Sequence, residues 1–148
     1  ITATGFDLSV LGDIDFTIDG EPLDFAQTVT YRGVMFTGVP NLAYVFGYFR
    51  SSWTLRADLI SDFVCHLLDH MAERGATVVR PALRDEESGM ALGPWVDPEN
   101  FNPGYLTRSL HLMPKQGDRS PWQLLHEYVE EKDILPAADL DDGTLVYA

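Results

Sequence analysis

The 148 residues can form one ordinary domain that buries roughly 70% of its unfolded surface, and a 45% hydrophobic content agrees with a globular fold. Ten basic residues against 23 acidic ones give a formal charge of −13, which argues against nucleic acid, because there is no cationic surplus to release phosphate counterions, and against anionic membrane surfaces. The longest uncharged apolar run, Leu42 to Phe49, is far short of the ~20 residues that span a bilayer, no basic-then-apolar signal opens the chain, and Cys65 has no second cysteine to pair with.

In chain order, Ile1-Thr2-Ala3-Thr4-Gly5, with no Met, reads as the end of a strand running into a Gly turn, so a segment of a longer polypeptide is expected. Ile14 to Ile18 alternates in polarity and meets Asp19-Gly20, a hairpin turn whose partner strand would be Glu21 to Phe25. Thr28 to Tyr31 and Val34 to Thr37 are two further short strands separated by Arg32-Gly33. Gly38-Val39-Pro40-Asn41 is a turn, and the aromatic-rich run Leu42 to Phe49 after it predicts a buried strand.

A long helix follows. Leu55, Leu59, Phe63 and Leu67 fall four apart, Ile60, Val64, Leu68 and Met71 widen the same face, and the stripe should dock on the sheet that holds Leu42 to Phe46. Ser51 or Ser52 is the natural N-cap, and Glu73-Arg74-Gly75 the C-terminal signal. Cys65 is placed on the apolar side as a buried, inert thiol, which suits a reduced, cytoplasmic setting. Thr77 to Val79 predicts a short strand, Gly89 to Gly104 an irregular excursion with Pro94, Pro98 and Pro103, and Tyr105 to Met113 a short helix. Ser120-Pro121-Trp122 has the form of a helix start, with Leu124, Leu125, Tyr128 and Val129 as one apolar face and an end near Asp133. Thr144 to Tyr147 closes the chain as a strand.

Common chemical motifs are absent: no Gly-x-Gly-x-x-Gly, P-loop, Gly-x-Ser-x-Gly or Cys-x-x-Cys occurs. His66 and His70 have the four-residue spacing of a zinc pair, but no third ligand is near in sequence and they read as solvated. A buried strand ending beside a helix N-terminus is the arrangement by which α/β proteins offer backbone N–H groups to an anion. Tyr44, Phe46, Tyr48, Phe49 and Trp53 surround that junction and could line a flat pocket.

Taken together, Ile1-Thr2-Ala3-Thr4-Gly5-Phe6, Gly38-Val39-Pro40-Asn41-Leu42-Ala43-Tyr44, Gly47-Tyr48, Ser52-Trp53-Thr54-Leu55-Arg56-Ala57-Asp58, Asn102-Pro103-Gly104-Tyr105 and Met113-Pro114-Lys115-Gln116-Gly117 resemble, in order and spacing, the C-terminal part of the FAD-dependent monooxygenases. The likeness is to the Baeyer–Villiger branch that includes the ethionamide-activating monooxygenase, and it spans nearly the whole chain.

The resemblance implies an α/β fold, the C-terminal segment of a FAD/NAD(P)-binding flavoprotein, with short strands, one long amphipathic helix and two shorter C-terminal helices. Residues 1–75 would end the FAD-binding domain and 76–148 would form an extension packed on it. It implies FAD and NADPH as cofactors, each needing parts of the protein outside this chain, with the remainder of the monooxygenase polypeptide as partner and a small organic molecule as substrate. Thr4, Gly5, Gly47, Ser52, Trp53 and Thr54 would contact the cofactor, and Tyr48 and Phe49 would stand on the substrate side. Both dinucleotide fingerprints and the stretch expected to carry the family's active-site arginine are missing, and neither Arg32 nor Arg50 matches that motif. The chain alone is therefore expected to be inactive. A freestanding α+β ligand-binding or interaction module is the alternative.

Overall fold

A computed structural model describes all 148 residues. Its largest element is α1 (Trp53–Arg74), which starts at Ser52 in extended backbone and stops at Gly75, whose φ of 66° places it in the left-handed conformation that a helix C-cap favours. The Gly75 and Ala76 amides then bond back to the Ala72 and Met71 carbonyls, a helix-ending turn.

The strands are short and pair only in twos. β1 (Thr17–Ile18) and β2 (Glu21–Pro22) form the hairpin expected around Asp19-Gly20. β3 (Thr30–Tyr31) and β4 (Met35–Phe36) form a second hairpin, with Arg32 and Gly33 both at positive φ in its turn. β5 (Val79–Pro81) pairs antiparallel with β8 (Leu145–Tyr147), which brings the chain's end back beside the exit of α1. β6 (Gly93–Pro94) pairs with β7 (Lys115–Gln116). The Gly38–Asn41 turn is clamped to β5, with the Asn41 amide donating to the Val79 carbonyl and the Val79 amide to Asn41 Oδ1, each at 2.9 Å.

Two more helices complete the chain, α2 (Gly104–Ser109) and α3 (Tyr128–Ile134). The main core gathers Leu59, Ile60, Phe63, Leu67 and Met71 of α1 with Val29, Tyr31, Val34 and Met35 of the second hairpin, Val79 and Leu145 of the β5–β8 pair, and Trp122 and Leu135. A smaller cluster holds Phe46, Trp95, Val96, Leu106, Met113 and Leu124. No helix is long and apolar enough to cross a membrane.

Several expectations are corrected. Residues 1–9 form no strand, because they find no ladder partner in this chain; Phe6 instead lies on Tyr105 with ring centroids 4.4 Å apart, and Arg108 bonds Asp7 and the Phe6 carbonyl. Leu42 to Phe49 is not a strand either. Its Tyr44 amide donates to the Val34 carbonyl and its Phe46 carbonyl is taken by the Arg56 side chain, so no regular ladder develops.

The helix face therefore docks on the β3–β4 hairpin and its neighbours, with Leu55 37% exposed at the edge. At about 100° per residue, the buried arc from Leu59 to Met71 is centred on Arg56, which is fully buried. Cys65 lies on the far side of α1 and is exposed, not buried.

Asp118 to Trp122 makes no helix, because its backbone is engaged across the chain. The Arg32 amide donates to the Pro121 carbonyl and the Gly117 amide to the Trp122 carbonyl, both at 2.6 Å, while the Trp122 ring is fully buried edge-on to Tyr31. Helix α3 begins only at Tyr128, and Val129 on it is 73% exposed, so it is not part of an apolar face.

Candidate functional site

The first turn of α1 opens to solvent. Ser51, Ser52, Trp53 and Thr54 are all exposed, and the Ser52 hydroxyl does not cap the helix but pairs with the Thr54 hydroxyl at 2.7 Å. The first-turn amides thus receive no acceptor from Ser52, and the positive end of a 22-residue helix faces solvent. Gly47 lies directly beneath Trp53: a Cβ there would come within 2.2 Å of the Trp53 ring, so glycine is required for the chain and the indole to pack this closely. Trp53 also meets Phe46, with centroids 4.9 Å apart.

What holds this helix end in place is a buried ion pair that the sequence reading did not identify. Arg56, one turn into α1, has all five N–H donors engaged. Its Nε and Nη2 reach the two Glu131 carboxylate oxygens at 2.9 and 2.8 Å, and the remaining donors reach the backbone carbonyls of Arg32, Gly33 and Phe46. The Tyr48 hydroxyl donates to Glu131 Oε2 at 2.5 Å. Burial, and then the bond to that carboxylate, push the Tyr48 phenol well above its ordinary pKa, so it stays a donor. This one network ties together the start of α1, the 46–48 segment, the β3–β4 turn and α3. Its only sequence signal is a basic residue in the middle of an apolar arc.

Beside this network lies a pocket of about 340 Å³, lined among others by Phe49, Arg50, Asn100, Phe101, Leu124 and His126. Phe49 stacks on Phe101 with centroids 4.1 Å apart, and His126 lies against the Phe49 ring at 4.5 Å. The Arg50 guanidinium closes one side by donating to the Asn100 carbonyl at 2.7 Å. Burial, with the Arg56 charge nearby, holds the His126 imidazole down to a pKa of about 4, so the ring is neutral at physiological pH.

Of the residues expected to contact a cofactor, Gly47, Ser52, Trp53 and Thr54 are brought together at the α1 start. Thr4 and Gly5 are exposed, nothing lies within 4 Å of a Cβ built on Gly5, and no bond links either residue to the others. Phe49 faces the pocket, whereas Tyr48 is buried in the ion-pair network. His66 is exposed, and His70 is turned to Asp141 at 3.2 Å. Arg50 binds the pocket wall, and Arg32 stands in the β3–β4 turn. Sequence reasoning missed His126, which carries no motif and lies far from Phe49 along the chain.

No family model matches the chain, and no solved structure matches it. Among curated proteins it is 42% identical over 151 residues to the FAD-containing monooxygenase EthA of Mycobacterium tuberculosis, covering 100% of this chain and 29% of that protein. It is 37% identical over 149 residues to the putative FAD-containing monooxygenase MymA of the same organism, again covering 100% of the chain and 29% of the relative. It is also 37% identical over 147 residues to the probable FAD-binding monooxygenase AlmA of Acinetobacter baylyi, with 98% and 28% covered. The chain thus spans under a third of the length of these relatives and, along all of its own length, is a homologue of a part of the FAD-containing monooxygenases.

Proposed function

We propose that this chain is the C-terminal part of a monooxygenase that requires FAD and NADPH and uses O2 to oxygenate a ketone in the Baeyer–Villiger manner, or a sulfur or nitrogen centre, in the cytoplasm. The observation that carries this reading is the similarity, over the whole chain, to proteins named FAD-containing monooxygenases. In this reading residues 1–75 close a FAD/NAD(P)-binding fold and 76–148 pack on it. FAD, when bound, supplies the oxidation chemistry.

The residues present fit such a group at the α1 start, where a helix end without a side-chain cap meets an exposed indole. Ser52, Trp53 and Thr54 would hold the pyrimidine edge of the flavin, and the helix end would favour negative charge there. Gly47 allows Trp53 to lie flat on the chain, and Thr4 and Gly5 would complete the contact from the N-terminal segment. Arg56, Glu131 and Tyr48 position the helix. Phe49 faces the organic substrate, and Tyr48 stands behind it.

Thr54→Glu in the full-length protein tests the assignment. A carboxylate in a first turn leaves helix stability nearly unchanged, yet opposes negative charge on the cofactor, at roughly 0.3–2 kcal/mol. For a two-electron couple this lowers the flavin potential by roughly 10–40 mV. A potential that stays put or rises, in a variant that binds FAD and melts like the parent, refutes the placement. The isolated chain should consume NADPH no faster than buffer, with FAD and a cyclic ketone present.

A further inference from the structure

We propose that the cavity beside the β3–β4 turn, lined by Arg32, Ser120, Gln123 and the C-terminal half of α3, is a binding site for a small monocarboxylate with an aliphatic body. The fold uses only the backbone of Arg32. Its amide donates to the Pro121 carbonyl at 2.6 Å, and its carbonyl accepts from Arg56 Nη2 at 3.0 Å, bonds that any residue could make. Its φ of 51° is left-handed, a conformation that glycine adopts without the Cβ penalty. An arginine stands there nevertheless. Its guanidinium packs 5.5 Å from the Tyr31 ring centroid and makes no ion pair or hydrogen bond within the chain. Nε is sealed from solvent, whereas the two terminal nitrogens keep accessible surface and can meet a ligand.

The charge around the cavity selects an anion. Glu131 is the other charged residue on its wall, and that carboxylate already receives two bonds from Arg56 and one from Tyr48. The Arg56 and Glu131 charges cancel, which leaves Arg32 as one uncompensated positive charge. The chain carries 23 acidic residues, yet none is turned to it. Ser120 and Gln123 bring a hydroxyl and an amide to the same wall, and neither is engaged elsewhere in the chain.

Shape and lining narrow the class further. The planar fork of a guanidinium matches the two oxygens of a carboxylate. The rest of the wall is aliphatic, made by Pro121, Leu125, Ile134 and Leu135, with no aromatic face, so the body of the ligand is aliphatic too. At about 240 Å³ the space suits a short branched acid. Isovalerate has that form.

This inference concerns binding and stands whether or not the flavin assignment does, so its test uses neither NADPH nor turnover. The protein at its natural length is titrated with isovalerate while saturation transfer from the protein to the ligand methyl groups is followed by NMR. The signal should saturate, with a Kd of about 10 mM or tighter for a ligand of that size.

Arg32→Gly, which suits the left-handed backbone, should melt no lower than the parent and weaken binding tenfold or more, the scale of lost charge-assisted hydrogen bonds. Arg32→Lys keeps the charge without the fork and should fall between the two. Ile134→Ser, at an exposed position, should weaken binding several-fold through the aliphatic wall. Isovaleramide, which lacks the charge, and acetate and inorganic phosphate, which lack the body, should each bind several-fold more weakly. The proposal is overturned by unchanged affinity in Arg32→Gly or Arg32→Lys, by equal binding of isovaleramide, acetate or phosphate, or by no saturable signal. If Arg32→Gly fails to fold, that too overturns it, because the side chain would then be needed by the protein itself.

Discussion

Replacing Glu131 by leucine removes the carboxylate that receives three hydrogen bonds, two from Arg56 and one from Tyr48. Arg56 has no exposed surface and Glu131 only 2%, so water cannot take the lost partner's place. The guanidinium would keep its contacts to the Arg32, Gly33 and Phe46 carbonyls but would be left as an uncompensated buried charge. Breaking such a pair costs about 3–5 kcal/mol, a large fraction of the ~5–15 kcal/mol of a typical domain. With a urea slope of about 2 kcal/mol per M, the unfolding midpoint should fall by roughly 1.5–2.5 M. Fluorescence of the buried Trp122 would report it. The double variant Arg56→Met/Glu131→Leu should be less damaged than the sum of its parts, with a coupling of about 1–3 kcal/mol, because the stranded charge is gone. A midpoint shift under about 0.5 M for Glu131→Leu, with an unchanged slope, would correspond to about 1 kcal/mol. The pair would then be solvated in the folded protein, and the account of what fixes the α1 start would be wrong.

Phe63, fully buried against Tyr31, should lose about 3–5 kcal/mol on truncation to alanine, whereas Leu68→Ala, at 57% exposure, should cost under about 0.5 kcal/mol; similar midpoints for the two would mean the helix is rotated from its observed face. His126 binds a proton less readily in the folded chain, at about 4 against 6.5, so its contribution is fully present above pH 6.5 and is lost as pH falls from 6.5 to about 4. The loss is on the order of 3 kcal/mol, and the stability–pH curve of His126→Phe should be correspondingly flatter in that window; identical curves would contradict the burial of the ring. Cys65 should react with a thiol reagent in the native state as fast as a small free thiol, and protection that is lifted only by denaturant would return it to the core.

Short-range signals in the sequence determined much of the local structure. The Asp19-Gly20 hairpin, the Arg32-Gly33 turn, the span of α1 with its Ser52 and Gly75 ends, and the closing strand at Leu145–Tyr147 all follow from residues within a few positions of each other. Turn residues and a left-handed glycine at a helix end act on their own backbone, so their meaning survives without knowledge of the rest of the chain, although the Ser52 hydroxyl makes no cap bond. The ordered set of motifs likewise carried the likeness to the FAD-dependent monooxygenases, which the curated relatives share along the whole chain.

Tertiary structure decided the rest, for reasons of partner choice. Whether Leu42 to Phe49 became a strand depended on a ladder neighbour, and its Phe46 carbonyl went to a guanidinium instead. Apolar periodicity placed the α1 stripe close to its true centre but could not mark the residue at that centre as buried, because it is Arg56, and an arginine is buried only when a distant carboxylate compensates it. That carboxylate is 75 residues away. His126 and Phe49 are likewise remote in sequence and meet only when α3 and the 46–50 segment are drawn to the same ion pair. Charge compensation and cavity formation join residues with no local relation, which is why the sequence could indicate the helix end but not the pocket beside it.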